Sequence, residues 1–232
     1  MSDGSKRINK YLAESGACSR RGADKLIEEG RVTINGITAQ LGSVVNDGDV
    51  VELDGNAVIP EDNRIYLAFN KPLGITCTTD RRDPTNIIDY IGYPERIFPI
   101  GRLDKNSSGL ILLTNDGDIV NRMLRAENNH EKEYIVTVDK PLAADFKKKM
   151  ESGVPVLGQI TLPCEVKILS SRRFSIILHQ GLNRQIRRMC EYLGYRVVKL
   201  KRIRFMNIEL GDLKVGEYKI LDSKKVRQGL SS

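Results

Sequence analysis

The stretch GRLDKNSSGLILLTNDGD, which begins at Gly101, constrains the fold of this chain more than any other segment. Residues 110 to 113 form an unbroken apolar run, and Asp116-Gly117 closes it with a pair typical of turns, so the pattern predicts a buried strand. Asp104 is therefore expected in a loop that leads into this strand. The apolar residues that follow recur at helical spacing: Ile119, Val120, Met123 and Leu124.

The segments around this stretch predict a mixed α and β domain. Residues 65 to 70 read as an apolar strand that stops at Lys71-Pro72, and residues 75 to 79 read as its hairpin neighbour across a Pro-Leu-Gly turn. Three later segments alternate apolar and polar residues, which suits an antiparallel sheet with one covered face. The predicted elements in chain order are a short helix at 86 to 91, an extended segment at 96 to 101, and strands at 133 to 138, 166 to 168 and 174 to 179.

The first 60 residues predict a small module of two helices and short strands. Residues 7 to 15 carry one apolar helical stripe, and Ser19 stands where an N-cap would begin a second helix that ends at Gly30. Asn35-Gly36 tolerates positive φ at both turn positions, which predicts a tight hairpin within residues 32 to 39. A last strand is expected at residues 50 to 53.

The polar stretch GNAVIPEDNR, residues 55 to 64, has no periodicity and contains a proline, so it predicts a linker. We therefore expect an α+β chain with a small module at residues 1 to 60 and a larger domain at residues 61 to 232. The larger domain should contain a mixed, mainly antiparallel sheet with flanking helices.

Charge indicates a polyanionic partner. The chain carries a formal net charge of +7 with no long basic tail, so the excess lies on the folded surface and favours nucleic acid. Four basic residues of the second helix and its end are candidates for phosphate contacts: Arg20, Arg21, Lys25 and Arg31. A solvated helix face would give much the same pattern.

The second basic segment is GLNRQIRRM and the residues after it. Asn183 can cap a helix that ends at Gly194, with Arg184, Arg187 and Arg188 on its outer face. Residues 184 to 204 hold eight basic residues and one acidic residue, a net charge of +7 that equals that of the whole chain. Such a concentration favours an RNA-backbone groove or an anion pocket over a merely solvated helix.

Cysteine and histidine usage predicts no metal and no cofactor. The four cysteines, at positions 18, 77, 164 and 190, lack paired ligand spacing and indicate reduced intracellular thiols. His130 and His179 are too far apart to suggest zinc. The N-terminus has no signal-peptide pattern and no stretch could span a membrane, so we expect a cytoplasmic protein.

These motifs together resemble a known family. The order helix, capped basic helix, NG hairpin and strand resembles the S4-type RNA-binding module. GRLDKNSSGLILLTNDG, then HEKEYIVTVDKP, then GLNRQIRRM resemble the signatures of the RsuA/RluB/RluE/RluF family of ribosomal RNA pseudouridine synthases. The resemblance runs from about residue 7 to residue 213. The HEKEY and GVPVLG stretches are most similar to the branch that acts on large-subunit (23S) ribosomal RNA.

The resemblance implies that Asp104 is the catalytic aspartate, Tyr134 the active-site aromatic residue and Arg187 the basic partner. It implies a monomer that binds a structured stem-loop of ribosomal RNA, free or in an assembling subunit, with no cofactor. Residues expected to bind the RNA are Arg20, Arg21, Lys25, Arg31, Arg102, Arg184, Arg188, Lys201 and Arg202.

The chemistry suits these residue types, and several alternatives stay open. An ionised Asp104 could attack C1′ of the ribose or remove a proton from C2′, and we favour proton removal. A cationic neighbour would favour the ionised acid. Without the surrounding motif, Asp104 would read as an Asx-turn residue. Two rival functions are a non-catalytic RNA-binding assembly factor and a magnesium phosphodiesterase that uses Asp104, Asp116 and Asp118.

Overall fold

The computed structural model describes residues 5–60, 63–124 and 130–228, which form two compact units. The first unit comprises the described residues up to Arg64 together with Asn115–Gly117, and the second holds the rest. The domain boundary predicted between residues 60 and 61 stays a prediction, because residues 61 and 62 lie outside the described segments. None of the helices in these segments is long and apolar enough to cross a bilayer.

The first unit contains the predicted helix pair and hairpin. Ser19 caps the second helix by accepting a hydrogen bond from the amide of Gly22 at 3.0 Å, and Gly30 follows that helix with φ +70°. Asn35 and Gly36 both have positive φ, as a hairpin turn of two residues requires. The elements are β1 (Lys6–Arg7), α1 (Ile8–Glu14), α2 (Arg20–Glu28), β2 (Val32–Ile34), β3 (Ile37–Thr38), β4 (Val44–Val45), β5 (Val51–Leu53) and β6 (Asn56–Ala57).

Strand β6 corrects the predicted linker. Residues 55 to 64 were expected to lack regular structure, but Asn56 and Ala57 pair with β5 across a turn at Asp54-Gly55. Both turn residues have positive φ, 52° and 77°. Asp-Gly carries the same hairpin signal as Asn-Gly, so the turn was readable from the sequence.

The second unit is built on a mixed sheet of nine strands within the described residues, which confirms the predicted α+β class. The main path has the order β13-β14-β10-β15-β9-β7-β17, and all of its pairs are antiparallel except β15 with β9. Strands β8 and β16 complete this sheet by pairing with β9 and β15, whereas β11 and β12 pair with each other in a separate hairpin. The strands of the second unit are β7 (Tyr66–Lys71), β8 (Phe98–Ile100), β9 (Ser108–Thr114), β10 (Lys132–Val138), β11 (Pro155–Val156), β12 (Gln159–Ile160), β13 (Glu165–Ser170), β14 (Arg173–Leu178), β15 (Val197–Phe205), β16 (Ile208–Glu209) and β17 (Tyr218–Ile220).

Strand β9 is apolar throughout because both of its faces are covered. Leu110 and Leu112 belong to one buried cluster, whereas Ile111 and Leu113 belong to another. This arrangement explains why the run at residues 110 to 113 is continuous rather than alternating. The helices of this unit are α3 (Ile87–Ile91), α4 (Gly117–Leu124), α5 (Phe146–Glu151), α6 (Gln185–Tyr192) and α7 (Ser223–Gln228).

The predicted hairpin of residues 65 to 79 is wrong in its second strand. Residues 75 to 79 form no strand, and Thr76 makes only an isolated bridge to Asn86. The neighbours of β7 are β9 and β17, which are distant in the sequence. The Pro-Leu-Gly turn instead carries the chain toward the loop of Asp104, as described below.

Three of the four cysteines should be unreactive in the folded protein. Cys77, Cys164 and Cys190 are buried, and burial raises the pKa of Cys164 to about 11 and that of Cys190 to about 12. Because the thiolate is the reactive form, we expect maleimide at pH 8 to label Cys18, which is partly exposed, and to label the others only after unfolding. Peptide mass mapping of native and urea-unfolded protein checks this, and fast native labelling of Cys190 would contradict the packing of α6.

Candidate active site

The loop that carries Asp104 joins β8 to β9. The amide of Ser107 donates to the main-chain oxygen of Asp104 at 2.9 Å, and the Ser107 side chain is buried. The turn is therefore closed through the backbone rather than through the carboxylate, unlike an Asx turn. The Asp104 side chain is partly exposed, so its carboxylate remains available to a bound molecule.

Arg187 fastens this loop to α6 and β15. One terminal nitrogen, Nη2, donates to the carbonyl of Asn106 at 2.6 Å and to Oγ of Ser107 at 3.3 Å, and Nη1 donates to the carbonyl of Val197 at 3.3 Å. Burial lowers the pKa of Arg187, and the nearby charge of Arg184 lowers it further. The Asp104 charge acts in the opposite direction, so the two side chains lie within electrostatic range of each other.

Helix α6, which carries Arg187, begins differently from the predicted helix. The N-cap residue is Arg184, in the left-handed conformation with φ 52°, and its side chain makes no capping bond. The prediction that Asn183 caps this helix is wrong, since Asn183 accepts hydrogen bonds from Arg188 instead. Gly194, with φ +81°, ends the helix as predicted.

Tyr134 lies on β10 beside the same centre of the sheet. It is paired with Arg202 of β15 next to a register shift between Glu133 and Tyr134. Such bulges commonly redirect side chains near functional sites. Tyr134 packs against two buried clusters, one of which contains Leu103, the residue before Asp104. The tyrosine predicted to face the substrate is thus close to the Asp104 loop and partly buried.

Lys71, a buried lysine that was not among the predicted site residues, stabilises a turn that contacts the Asp104 loop. Lys71 is fully buried, and its Nζ donates to the carbonyls of Pro72 and Ile75 at 2.9 and 2.8 Å. The turn held in this way contacts the Asp104 loop through Gly74, whose amide donates to the carbonyl of Lys105 at 2.9 Å. The available signal was a lysine at the end of an otherwise apolar strand.

The charges that act on Lys71 come from two residues of the same site, Cys77 and Asp104. Burial lowers the pKa of Lys71, while the charges of Cys77 and Asp104 act to raise it. Cys77 accepts a hydrogen bond on Sγ from the amide of Leu103 at 3.4 Å, and burial raises its pKa. Lys71 and Cys77 therefore lie within electrostatic range of the Asp104 loop.

The residues predicted to bind RNA fall into two groups. Most lie at the surface, so RNA binding stays a prediction for them. Arg20, Arg21, Lys25, Arg102 and Arg184 are exposed, and Arg188 and Lys201 are partly exposed. Two do not suit a phosphate contact. Arg31 is held by Asp54 through two hydrogen bonds of 2.6 and 2.9 Å and pairs with Glu29 at 3.3 Å, so its charge is already compensated. Arg202 is only 4% exposed.

The net charge of residues 184 to 204 is larger than the positive charge that remains unpaired at the surface, because two of the arginines form ion pairs. Arg204 pairs with Glu131 at 2.7 Å and with Glu133 at 3.0 Å. Arg196 pairs with Asp139 at 3.8 Å. The partners come from β10 and its flanks, which the sequence count of this segment does not include. The prediction of one concentrated basic groove is corrected to a smaller exposed set.

No group of three or more His, Cys, Asp or Glu side chains that could hold a metal ion occurs in the described segments. The side chains that the proposed site brings together are a carboxylate, a phenol and several cationic groups. This set suits acid–base or nucleophilic work on a bound base and sugar.

Comparison with known proteins identifies two regions. Residues 65–192 match the family described as RNA pseudouridylate synthase, and residues 6–51 match the S4 domain. The chain is 51% identical to the dual-specificity RNA pseudouridine synthase RluF of Salmonella typhi, with 100% of this chain and 83% of the relative covered. It is 36% identical to the ribosomal large subunit pseudouridine synthase B of Bacillus subtilis, with 96% and 94% covered.

A solved structure supports the same fold. The crystal structure of a pseudouridylate synthase superposes with a TM-score of 0.71 at 29% identity, and the match covers 96% of this chain and 99% of that one.

Proposed function

This chain belongs to the RNA pseudouridylate synthase family, and on that premise we propose that it isomerises a selected uridine in ribosomal RNA, with Asp104 as the catalytic carboxylate. The contact that carries this proposal is the 2.6 Å hydrogen bond from Arg187 to Asn106, two residues after a partly exposed Asp104. A reactive side chain is effective when its supporting residues hold it rigidly. The Arg187 contact supplies that support.

The reaction breaks the bond between C1′ of ribose and N1 of uracil, turns the base and joins C1′ to C5. Asp104 either attacks C1′ or removes a proton from C2′, and we favour proton removal. Both routes need the ionised acid, and Arg187 holds the loop that carries it through the hydrogen bond to the Asn106 carbonyl. As C5 joins C1′, Asp104 returns its proton to C2′ in the second route, or its bond to C1′ breaks in the first. The proton on C5 then leaves and N1 gains one, so that no group enters or is lost.

Tyr134 is proposed to hold the uracil by stacking and to help remove the C5 proton through its hydroxyl. Its partial burial between two apolar clusters limits its rotation, which favours a fixed stacking surface. The target nucleotide must leave its helix to reach this surface, as in other enzymes that act on a base.

The substrate we propose is a stem-loop of large-subunit ribosomal RNA, on which the protein acts as a cytoplasmic monomer. The Bacillus subtilis relative is named for the large subunit, and relatives in Salmonella typhi and Escherichia coli are named dual-specificity. The test is to map pseudouridines in total RNA from cells with and without the gene. One or more large-subunit sites should disappear, and unchanged maps would contradict the proposal.

The S4 domain is proposed to grip the RNA backbone through the first turn of α2. Arg20 and Arg21 are exposed there, immediately after the Ser19 cap, where the helix N-terminus also favours phosphate. Arg31 is not part of this grip, because Asp54 compensates its charge. The contact is sequence-independent, so it adds affinity and salt dependence rather than choice of uridine.

We expect the double variant Arg20→Gln/Arg21→Gln to bind RNA more weakly. If each arginine meets one phosphate, the slope of log affinity against log salt should shrink by roughly 1 to 2. Filter binding at several salt concentrations checks this. The matched control is Lys167→Gln/Arg173→Gln, which removes two exposed charges from the catalytic unit. Equal slopes for both double variants would rule out a special role for α2.

A further inference from the structure

Arg202 carries a positive charge inside the second unit without a full set of acceptors. It is 4% exposed, and its Nε donates to the carbonyl of Leu110 at 2.7 Å. Its Nη2 is buried and has no hydrogen-bond partner among the described residues. A buried guanidinium nitrogen without an acceptor is strongly unfavourable, so a missing acceptor is a reason to look for a bound molecule.

The surroundings of Arg202 add positive charge rather than negative charge. Within the described segments no carboxylate forms an ion pair with it, whereas Arg204, two residues later, has two. The guanidinium lies 5.5 Å from the centre of the Phe205 ring, and Nζ of Lys132 lies 5.8 Å from the same centre. Burial lowers the pKa of Lys132, and the Arg202 charge lowers it further. Two like charges thus share one aromatic ring.

The position of Arg202 connects it to the proposed chemistry. Its backbone pairs with Tyr134 on one side and with Gly109 on the other, so it lies between the proposed stacking residue and the strand that follows the Asp104 loop. Its charge also reaches Cys77, whose Sγ accepts from the amide of Leu103. Arg202 is therefore tied by its backbone to both proposed catalytic segments, and its charge lies within electrostatic range of a residue that contacts the Asp104 loop.

The reaction creates a negative charge that matches this donor. When the bond between C1′ and N1 breaks, both electrons stay with the base, and uracil becomes an anion delocalised over N1, O2 and O4. This holds whether Asp104 attacks C1′ or removes the C2′ proton. A preorganised hydrogen-bond donor that interacts with the negative charge only as it develops stabilises the transition state more than the bound substrate. It therefore lowers the activation barrier without tightening substrate binding.

We propose that Arg202 is a catalytic residue whose unpaired guanidinium nitrogen donates to the displaced uracil anion. This inference rests on the proposed function. It differs from the sequence expectation that Arg202 binds phosphate, because the guanidinium lies inside the unit, where an extruded base could reach it but the RNA backbone at the surface could not. Phosphate binding becomes one of the results that would overturn the proposal.

The experiment compares Arg202→Gln with Arg202→Lys in the full chain. Glutamine keeps an amide that can donate to the Leu110 carbonyl but removes the charge, and lysine keeps the charge. Single-turnover rates at saturating enzyme, RNA affinity at several salt concentrations and thermal midpoints are measured for both. Lys167→Gln removes an exposed charge on β13 and serves as the control.

We expect Arg202→Gln to lose about 100-fold or more in single-turnover rate, the scale of one lost oxyanion donor. Arg202→Lys should retain a larger share, and affinity and its salt slope should match the parent. Unchanged rates overturn the proposal. So does weaker binding with a smaller salt slope at an unchanged saturating rate, which indicates a phosphate contact. Equal rate losses in both variants that follow their thermal midpoints indicate a structural role and also overturn it.

The failure of this proposal is separable from the failure of the proposed function. If the parent chain converts uridine and the Arg202 variants convert it equally fast, only the role of Arg202 falls. If the parent chain converts no uridine in any cellular RNA, the proposed function itself is wrong.

Discussion

Asp104→Asn should abolish nearly all pseudouridine formation while RNA binding persists. Asparagine keeps the size and most hydrogen bonds of aspartate, but it can neither attack C1′ nor accept a proton from C2′. Loss of such a group typically costs about 10²- to 10⁴-fold in rate. The measurement is a single-turnover assay with purified enzyme and a large-subunit RNA fragment, together with an affinity measurement on the same RNA.

The control for this substitution is Asp212→Asn, which neutralises an exposed carboxylate of the same unit. It should convert RNA at the parental rate. Full conversion by Asp104→Asn would contradict the mechanism and would favour the alternative of a non-catalytic assembly factor. Persistence of parental activity in EDTA is also expected, and it would exclude the magnesium phosphodiesterase alternative that uses Asp104, Asp116 and Asp118.

Gly109→Ala should destabilise the second unit and remove activity together. Gly109 has φ +101°, and a Cβ atom built there would overlap the carbonyl oxygen of Arg202 and lie 2.8 Å from its amide nitrogen. The chain can relieve this overlap only by separating β9 from β15, whose parallel pairing consists of Ser108 with Lys201 and Gly109 with Arg202. Backbone strain and lost pairing together should cost about 3 to 5 kcal/mol.

Urea unfolding checks the loss of stability, and Gly181→Ala is its control. Gly181 has open space around its Cβ position and no positive φ, so its substitution should change stability by less than about 0.5 kcal/mol. Parental stability of Gly109→Ala would show that β9 and β15 do not approach as closely as described. Gly109 is therefore required for two reasons, its positive φ and the close approach of the Arg202 backbone.

Asp104 and Gly109 both lie close to the place where β9 pairs with β15. Strand β15 lies between β10 and β9, so it brings Tyr134 and the Asp104 loop to the two sides of one strand. Arg187 then crosses from α6 to the loop at Asn106. The proposed catalytic residues therefore come from four segments: the Asp104 loop, β10, β15 and α6. Disruption of the pairing between β9 and β15 should separate them.

Local features of the fold were predictable because their causes lie within a few residues. Ser19 caps α2 through the amide three residues later, and Asn35-Gly36 makes its turn through its own backbone preferences. The buried strand after Asp104 follows from a continuous apolar run. The resemblance added the predicted roles of Asp104, Tyr134 and Arg187, which periodicity alone would not give.

The sequence by itself thus determined where helices, turns and most strands form, and it supplied the prediction that Asp104 is the catalytic acid. Only the tertiary structure decided which charges remain available, because their partners lie far along the chain. Arg204 meets Glu131 and Glu133, and Arg202 is buried against Leu110, when β15 inserts between β10 and β9. Pairing between strands is set by the packing of the whole sheet, so a count of charges in one segment does not reveal its surface.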